Sequence, residues 1–161
     1  MSTLPGKVVL IEPDEPTGKA TTMMRGLATV SFYAEDVKAA RDWYEKALGV
    51  AAYYAVPSAE EPAYVEFRFG DLQCELGIID ARYATQQVRG VPAGTVVYWH
   101  VDDLAGELEH LTSLGATVHE PITERGEGTG FRTATVVDPF GNLVGLMNNP
   151  HYLQVLAELK G

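Results

Sequence analysis

The sequence predicts an α+β fold: two βαβββ modules in one chain, forming curled mixed sheets around a cavity, with the helices outside. Three observations predict it. The stretch "ATVSFYAEDVKAARDWYEKALGV" from Ala28 is echoed by "VVYWHVDDLAGELEHLTSLGATV" from Val96. With Glu35-Asp36-Val37 set against Asp102-Asp103-Leu104 and one gap inside the helix, both copies pass through β-rich residues, an acidic pair, a helical segment and Leu-Gly. Each copy is followed by three short runs of strand formers, and the last two runs are joined by turn residues, Gly70-Asp71 in one and Asp138-Pro139-Phe140-Gly141-Asn142 in the other.

Each element has a local reason. Val30, Phe32 and Tyr33 form the first strand, as Val96, Val97, Tyr98 and Trp99 form its counterpart. Asp36 and Asp103 stand where a helix N-terminus needs an acceptor for its free N–H groups. Val37, Ala40, Tyr44 and Ala47 keep helical spacing, as do Leu104, Leu108 and Leu111. Gly49 and Gly115 then supply the positive φ that ends a helix. The remaining strands are expected at Ala51–Ala55, Ala63–Phe69 and Leu72–Ile79, and at Thr117–Glu120, Phe131–Val137 and Leu143–Met147. In the second turn Pro139 fixes φ, Gly141 takes an unusual backbone angle, and Asp138 and Asn142 bond back to the main chain. The expected organisation is an N-terminal extension at 1–25, in which Val8–Ile11 is strand-like, and a domain at 26–150. Module one spans 26–81, a linker 82–94, module two 95–150, and a helical tail 151–161 closes the chain.

Composition narrows the function. The chain has 161 residues, 46% hydrophobic, enough for one compact domain with a substantial core. A net charge of −10, from 22 acids and 12 bases, argues against nucleic acid as a partner. The charge itself reads as simple solubility, or as an attraction for cationic small molecules. No apolar run is long enough for a transmembrane helix, and no signal-peptide pattern opens the sequence, so a cytoplasmic protein is expected. A single cysteine, Cys74, excludes an internal disulfide and a Cys-rich zinc site.

The repeated strand–helix–three-strand halves and the "VVDPFGNLVGL" hairpin resemble the vicinal oxygen chelate superfamily, which includes glyoxalases, extradiol dioxygenases, fosfomycin-resistance enzymes and bleomycin-resistance proteins. The resemblance covers roughly residues 26–150. In metal-dependent members it implies four ligand positions, one in the first and one in the last strand of each half. Carried over residue by residue, these fall on Thr29, Glu75, Val96 and Gly145, of which only Glu75 could ligate a divalent ion. The expectation is therefore no metal and no cofactor, with a relocated site using Glu75, His100 and a third partner as the alternative.

The same parity sets the cavity face. With Thr29 go Ser31 and Tyr33; with Val96 go Tyr98 and His100; with Glu75 go Gln73, Gly77 and Ile79; with Gly145 go Leu143 and Met147. The opposite parity is almost wholly apolar, as a face beneath helices should be. Thr29, Ser31, Tyr33, Gln73, Glu75, Tyr98, His100, Leu143 and Met147 are thus the expected ligand-binding residues. Cys74 falls on the helix side and is expected to be inert. A metal-free small-molecule binder, a homodimer like bleomycin-resistance proteins, is one reading. The other is a lyase, isomerase or dioxygenase-like enzyme with Glu75 as base and His100 or Tyr98 as acid. A third is a regulatory module. Glu75 could equally be a half-buried acid paired with Arg68 or Arg132, and His100 a strand-end residue bonding near Asp102-Asp103. Glu66, Arg68 and Tyr64 share a strand face, where a surface or interfacial salt bridge is expected. Gly126, Gly128 and Gly130 suggest a mobile loop over the cavity.

Overall fold

The computed structural model describes residues 28–83, 96–125 and 128–160. The expected N-terminal extension with Val8–Ile11, most of the linker and Gly126 lie outside the described residues. Module one consists of β1 (Thr29–Ala34), α1 (Val37–Leu48), β2 (Tyr54–Val56), β3 (Tyr64–Phe69) and β4 (Cys74–Asp80). Module two consists of β5 (Val97–His100), α2 (Leu104–Ser113), β6 (Thr117–Glu124), β7 (Arg132–Val137) and β8 (Leu143–Asn148), and α3 (Pro150–Lys160) follows it. The two sheets have the same order, β1-β4-β3-β2 and β5-β8-β7-β6, with the first strand of each parallel to the last and the other pairs antiparallel.

The helices form where the sequence provides caps. Asp36 accepts the Ala39 N–H at 2.8 Å and Asp103 the Gly106 N–H at 3.0 Å. Gly49 ends α1 in the left-handed region at φ 68°. Each helix lays its apolar stripe on one face of its own sheet. A single core joins Tyr44, Phe67, Leu76 and Ile78 of module one to Leu104, Leu111, Val136 and Leu146 of module two. Each such side chain, fully buried, contributes roughly 1.5–3 kcal/mol.

The modules are related by an approximate two-fold. Ser31 pairs with Gly77 as Tyr98 pairs with Gly145, which makes Phe32 the counterpart of Trp99. These two rings meet edge-on with centroids 6.0 Å apart, as residues near such an axis must. The Trp43 indole N–H donates to the Leu114 carbonyl at 2.8 Å, and His110 Nε2 lies 3.2 Å from the Lys46 carbonyl. Each helix thereby engages a carbonyl near the C-terminal end of the other, where free acceptors are found.

The hairpin Asp138–Asn142 fastens one seam between the modules. Asp138, 4% exposed, accepts the backbone N–H groups of Phe140 (2.9 Å) and Asn142 (2.7 Å), the Tyr44 hydroxyl (2.7 Å) and the Asn142 side-chain amide (2.8 Å). Asn142 then crosses to β1, accepting from the Tyr33 N–H at 3.2 Å and donating to its carbonyl at 3.1 Å. Burial pushes the Asp138 carboxyl above the usual range against the pull of these donors. Burial, then the neighbouring Asp138 charge, pushes the Tyr44 phenol well up, so Tyr44 keeps its proton and remains the donor.

Three strand boundaries differ from expectation by more than one residue. β2 starts at Tyr54 instead of Ala51. β4 starts at Cys74, not Leu72, because Gln73 adopts φ 51° and closes the turn by donating to the Gly70 carbonyl. β6 continues through Pro121 to Glu124: it is an edge strand, its register slips at two points, and an edge tolerates a residue without an N–H.

Candidate functional site

The face of sheet one that carries no helix is organised in three cross-strand rows. Register places Thr29, Glu75 and Arg68 in the first, Ser31, Gly77, Glu66 and Tyr54 in the second, and Tyr33, Ile79, Tyr64 and Val56 in the third. In the first row the Thr29 hydroxyl donates to Glu75 Oε2 at 3.0 Å, and the Arg68 guanidinium pairs with Glu75 Oε1. Arg68 also donates to the Tyr53 hydroxyl at 3.1 Å and lies 4.6 Å from the centre of that ring. The Arg68 hydrogen bond, then that of Thr29, holds the Glu75 carboxyl below the usual range.

The second row differs. The Tyr64 hydroxyl donates to Glu66 Oε2 at 2.5 Å. Desolvation, and then the charge of Glu75, pushes the Glu66 carboxyl up. Gly77 permits this, since a Cβ there would stand 2.7 Å from the Tyr64 ring. A carboxyl raised in the folded state favours the protonated form, so its stabilising contribution is full below the unfolded pKa and is lost as pH rises through the folded one. Glu66→Gln is therefore expected to melt higher than wild type at about pH 7 and to lose that advantage at about pH 3. The gain is small because the group is partly solvated; thermal melts at the two pH values check it.

On the bare face of sheet two, Tyr98 lies over Gly145, and Met147 stands beside His100 in the next row. Arg125 donates to the Thr133 hydroxyl at 2.8 Å and pairs with Glu120 at 2.6 Å, while the buried Thr135 hydroxyl has no hydrogen-bond partner among the described residues. His100 is held in place through its Nδ1 and its ring face. Its Nδ1 accepts the Asn149 backbone N–H at 3.1 Å, which leaves the proton on Nε2, 3.4 Å from Asp102 Oδ1; its ring stacks on Tyr152 at 4.8 Å.

Eight of the nine expected ligand-binding residues lie on these two faces: Thr29, Ser31, Tyr33 and Glu75 on sheet one, Tyr98, His100, Leu143 and Met147 on sheet two. Gln73 does not, since it closes the β3–β4 turn and its amide donates to the Gly70 carbonyl at 3.1 Å. Of the two arginines expected to pair with Glu75, Arg68 does so. That pairing works against Glu75 as a base with a raised pKa, and no contact among the described residues joins Glu75 to His100. Cys74 shares the helix-side parity of Leu76 and Ile78, and at the start of β4 it is exposed. The two-fold corrects one equivalence: the counterpart of Gly145 is Gly77, and that of Glu75 is Leu143. Counting onward from Asn142 missed this because three residues separate Asp138 from Asn142, whereas four separate Phe69 from Cys74. Glu75 goes with Leu143 and Gly77 with Gly145, so with Thr29 and Val96 either set of four positions holds at most one carboxylate. Among the described residues no three His, Cys, Asp or Glu side chains group closely enough to hold a metal ion. Tyr53, and Glu66 as the raised carboxyl, were not expected at the site. The β3–β4 register, countable from Gly70-Asp71, was the signal for the cross-strand neighbours.

A family model described as "Glyoxalase/Bleomycin resistance protein/Dioxygenase superfamily" matches residues 26–146. A search of curated proteins by sequence found no match. Among solved structures, a glyoxalase-related enzyme from Fulvimarina pelagi is similar at TM-score 0.62 and 17% identity, covering 79% of this chain and 90% of that one. Lactoylglutathione lyase from Agrobacterium tumefaciens is similar at TM-score 0.59 and 18% identity, covering 80% and 97%. Fosfomycin resistance protein FosX from Mesorhizobium loti is similar at TM-score 0.58 and 16% identity, covering 83% and 99%. These likenesses establish the fold, and the family model spans most of the sequence: this chain belongs to the glyoxalase/bleomycin resistance protein/dioxygenase superfamily.

Proposed function

We propose that this protein binds a small organic molecule, without a metal ion, against the faces of its two sheets that lie opposite α1 and α2. The observation that carries the reading is the state of Glu75. Glu75, the one carboxylate that either set of four positions can supply, is already engaged by Arg68 and Thr29, and the other residues, Thr29, Val96, Leu143, Gly77 and Gly145, offer at most a neutral hydroxyl. A divalent ion needs several deprotonated or imidazole ligands at once, and this donor set does not fit one. What the face offers instead is an anchored arginine–carboxylate pair amid Tyr53, Tyr54 and Tyr64, suited to an organic ligand with both polar and aromatic parts. We further propose a cytoplasmic homodimer in which the exposed Tyr53, Tyr54 and Val56 at the edge of sheet one are covered. No helix among the described residues is long and apolar enough to cross a membrane.

Thermal-shift screening of antibiotics and oxo-acids tests the reading. A stabilising compound should bind equally before and after dialysis against EDTA, and Glu75→Gln should weaken it about tenfold. A shift that appears only with an added divalent ion sinks the metal-free reading. A specific observation favours one second reading: the raised Glu66 carboxyl, hydrogen-bonded to Tyr64, has the properties of a proton-transfer base. Turnover of a bound compound that Glu66→Gln abolishes while binding survives would select it.

A further inference from the structure

The second seam between the modules is open where the first is closed. By the two-fold, Phe69 occupies the place of Asp138, Cys74 that of Asn142 and Leu111 that of Tyr44. None of the three can reproduce the hydrogen bonds that fasten the first seam. The result is a crevice of about 830 Å³ between the β3–β4 turn, the end of β5, the start of α2 and α3. It shares Phe69, Trp99, His100, Val101 and Glu107 with an inner apolar pocket of about 210 Å³, which Trp43 and Tyr44 help to line. An apolar cavity of about 150 Å³ is enough to hold benzene.

The polar groups at this seam have one sign. Asp102, Asp103 and Glu107 line the crevice, and none of the described residues lining either space is a lysine or arginine. Asp103 is occupied in capping α2 at Gly106, which also neutralises the positive end of that helix as an anion site. Asp71, the other acid lining the crevice, is taken by Lys160 and Tyr152. Glu107 is half-buried and lines both spaces, and its carboxylate has no hydrogen bond or ion pair among the described residues. His100 adds a second handle: its Nε2 is buried, bears the proton, and lacks a hydrogen-bond partner among the described residues, with Asp102 Oδ1 3.4 Å away.

We propose that this seam, which borders the bare face of sheet two at Tyr98, His100 and Met147, is a binding site for a hydrophobic amine: an aromatic ring enters between Trp43, Phe69 and Trp99, and the ammonium rests at the mouth against Glu107 and Asp102. A ring of that size fits the inner pocket, indole faces favour a nearby cation, and a half-desolvated carboxylate without a partner favours a charged donor. An oxygen on the ligand would take the His100 N–H.

Both tryptophans of the chain, Trp43 and Trp99, line the inner pocket, so intrinsic fluorescence reports on it directly. 2-Phenylethylamine titrated into the full chain should change that fluorescence saturably, while 3-phenylpropionate, of similar shape and opposite charge, should bind at least tenfold more weakly. Glu107→Gln, a near-isosteric change on a helix surface, should weaken the amine about tenfold. The site is overturned if the amine gives no saturable change up to about 10 mM, if the acid binds as well, or if Glu107→Gln binds like wild type. Should Glu75→Gln weaken the amine and Glu107→Gln not, the amine sits on the sheet face: the seam site then fails while the proposed function stands.

Discussion

Asp138→Ala is expected to destabilise the protein by roughly 3–5 kcal/mol, because it leaves several buried donors without an acceptor, each at a cost of about 1–3 kcal/mol. The carboxylate is the shared acceptor for four donors: two backbone N–H groups of its own hairpin, the Asn142 amide and the Tyr44 hydroxyl of the other module. Its loss leaves Tyr44, 1% exposed, with a hydroxyl that has nothing to donate to. It also frees Asn142, whose two bonds to the Tyr33 backbone hold β1 against the hairpin. Tyr44→Phe removes only one of the four donors and should cost about 1–2 kcal/mol. Added to Asp138→Ala, Tyr44→Phe should recover stability instead of losing more, because it removes the orphaned hydroxyl. Urea unfolding of the four proteins measures this. An Asp138→Ala cost below about 1 kcal/mol, the worth of an ordinary hydrogen bond, would mean that the hairpin is not what joins the modules there.

The parts of this structure that were legible in the sequence are those fixed by local chemistry. Asp36 and Asp103 cap the helices they precede, and the apolar parity of Phe32, Leu76, Ile78, Val144 and Leu146 fixes which sheet face meets the helices. Repetition of one pattern made the two-module fold readable even though the copies share few residues. The site was legible only as a list of positions. Glu66 reads as a surface acid until the fold desolvates it, the register sets the Glu75 charge beside it, and Tyr64 comes near enough to bond it. The commitment of His100 to Asn149 and Tyr152 depends on where α3 returns, some fifty residues later, and no periodicity encodes that. Gln73 was misplaced because a non-glycine residue at positive φ gives no sequence signal, and here a side-chain bond to Gly70 supports it.

The two counterpart glycines should respond differently to the same methyl group. At Gly145 an added Cβ would lie 2.8 Å from the Val97 carbonyl oxygen and 2.6 and 2.8 Å from Cδ1 and Cγ of Tyr98, the root of the ring. Backbone and ring root cannot swing aside, so β5 must move away from β8, and Gly145→Ala should cost about 2–3 kcal/mol. At Gly77 the clash is with Cε2 and the hydroxyl of Tyr64, both at 2.7 Å, the far end of a side chain that can rotate outward. Gly77→Ala should therefore cost about 1 kcal/mol, chiefly the lost Tyr64–Glu66 hydrogen bond. It should also leave a trace that Gly145→Ala does not. With Tyr64 displaced, Glu66 is better hydrated, and its pKa should fall back toward the ordinary carboxylate range. Unfolding curves of both variants, with the Glu66 carboxyl titrated by NMR, separate the two mechanisms. Equal destabilisation at the two glycines, or an unmoved Glu66 titration in Gly77→Ala, would show that Tyr64 does not desolvate that acid.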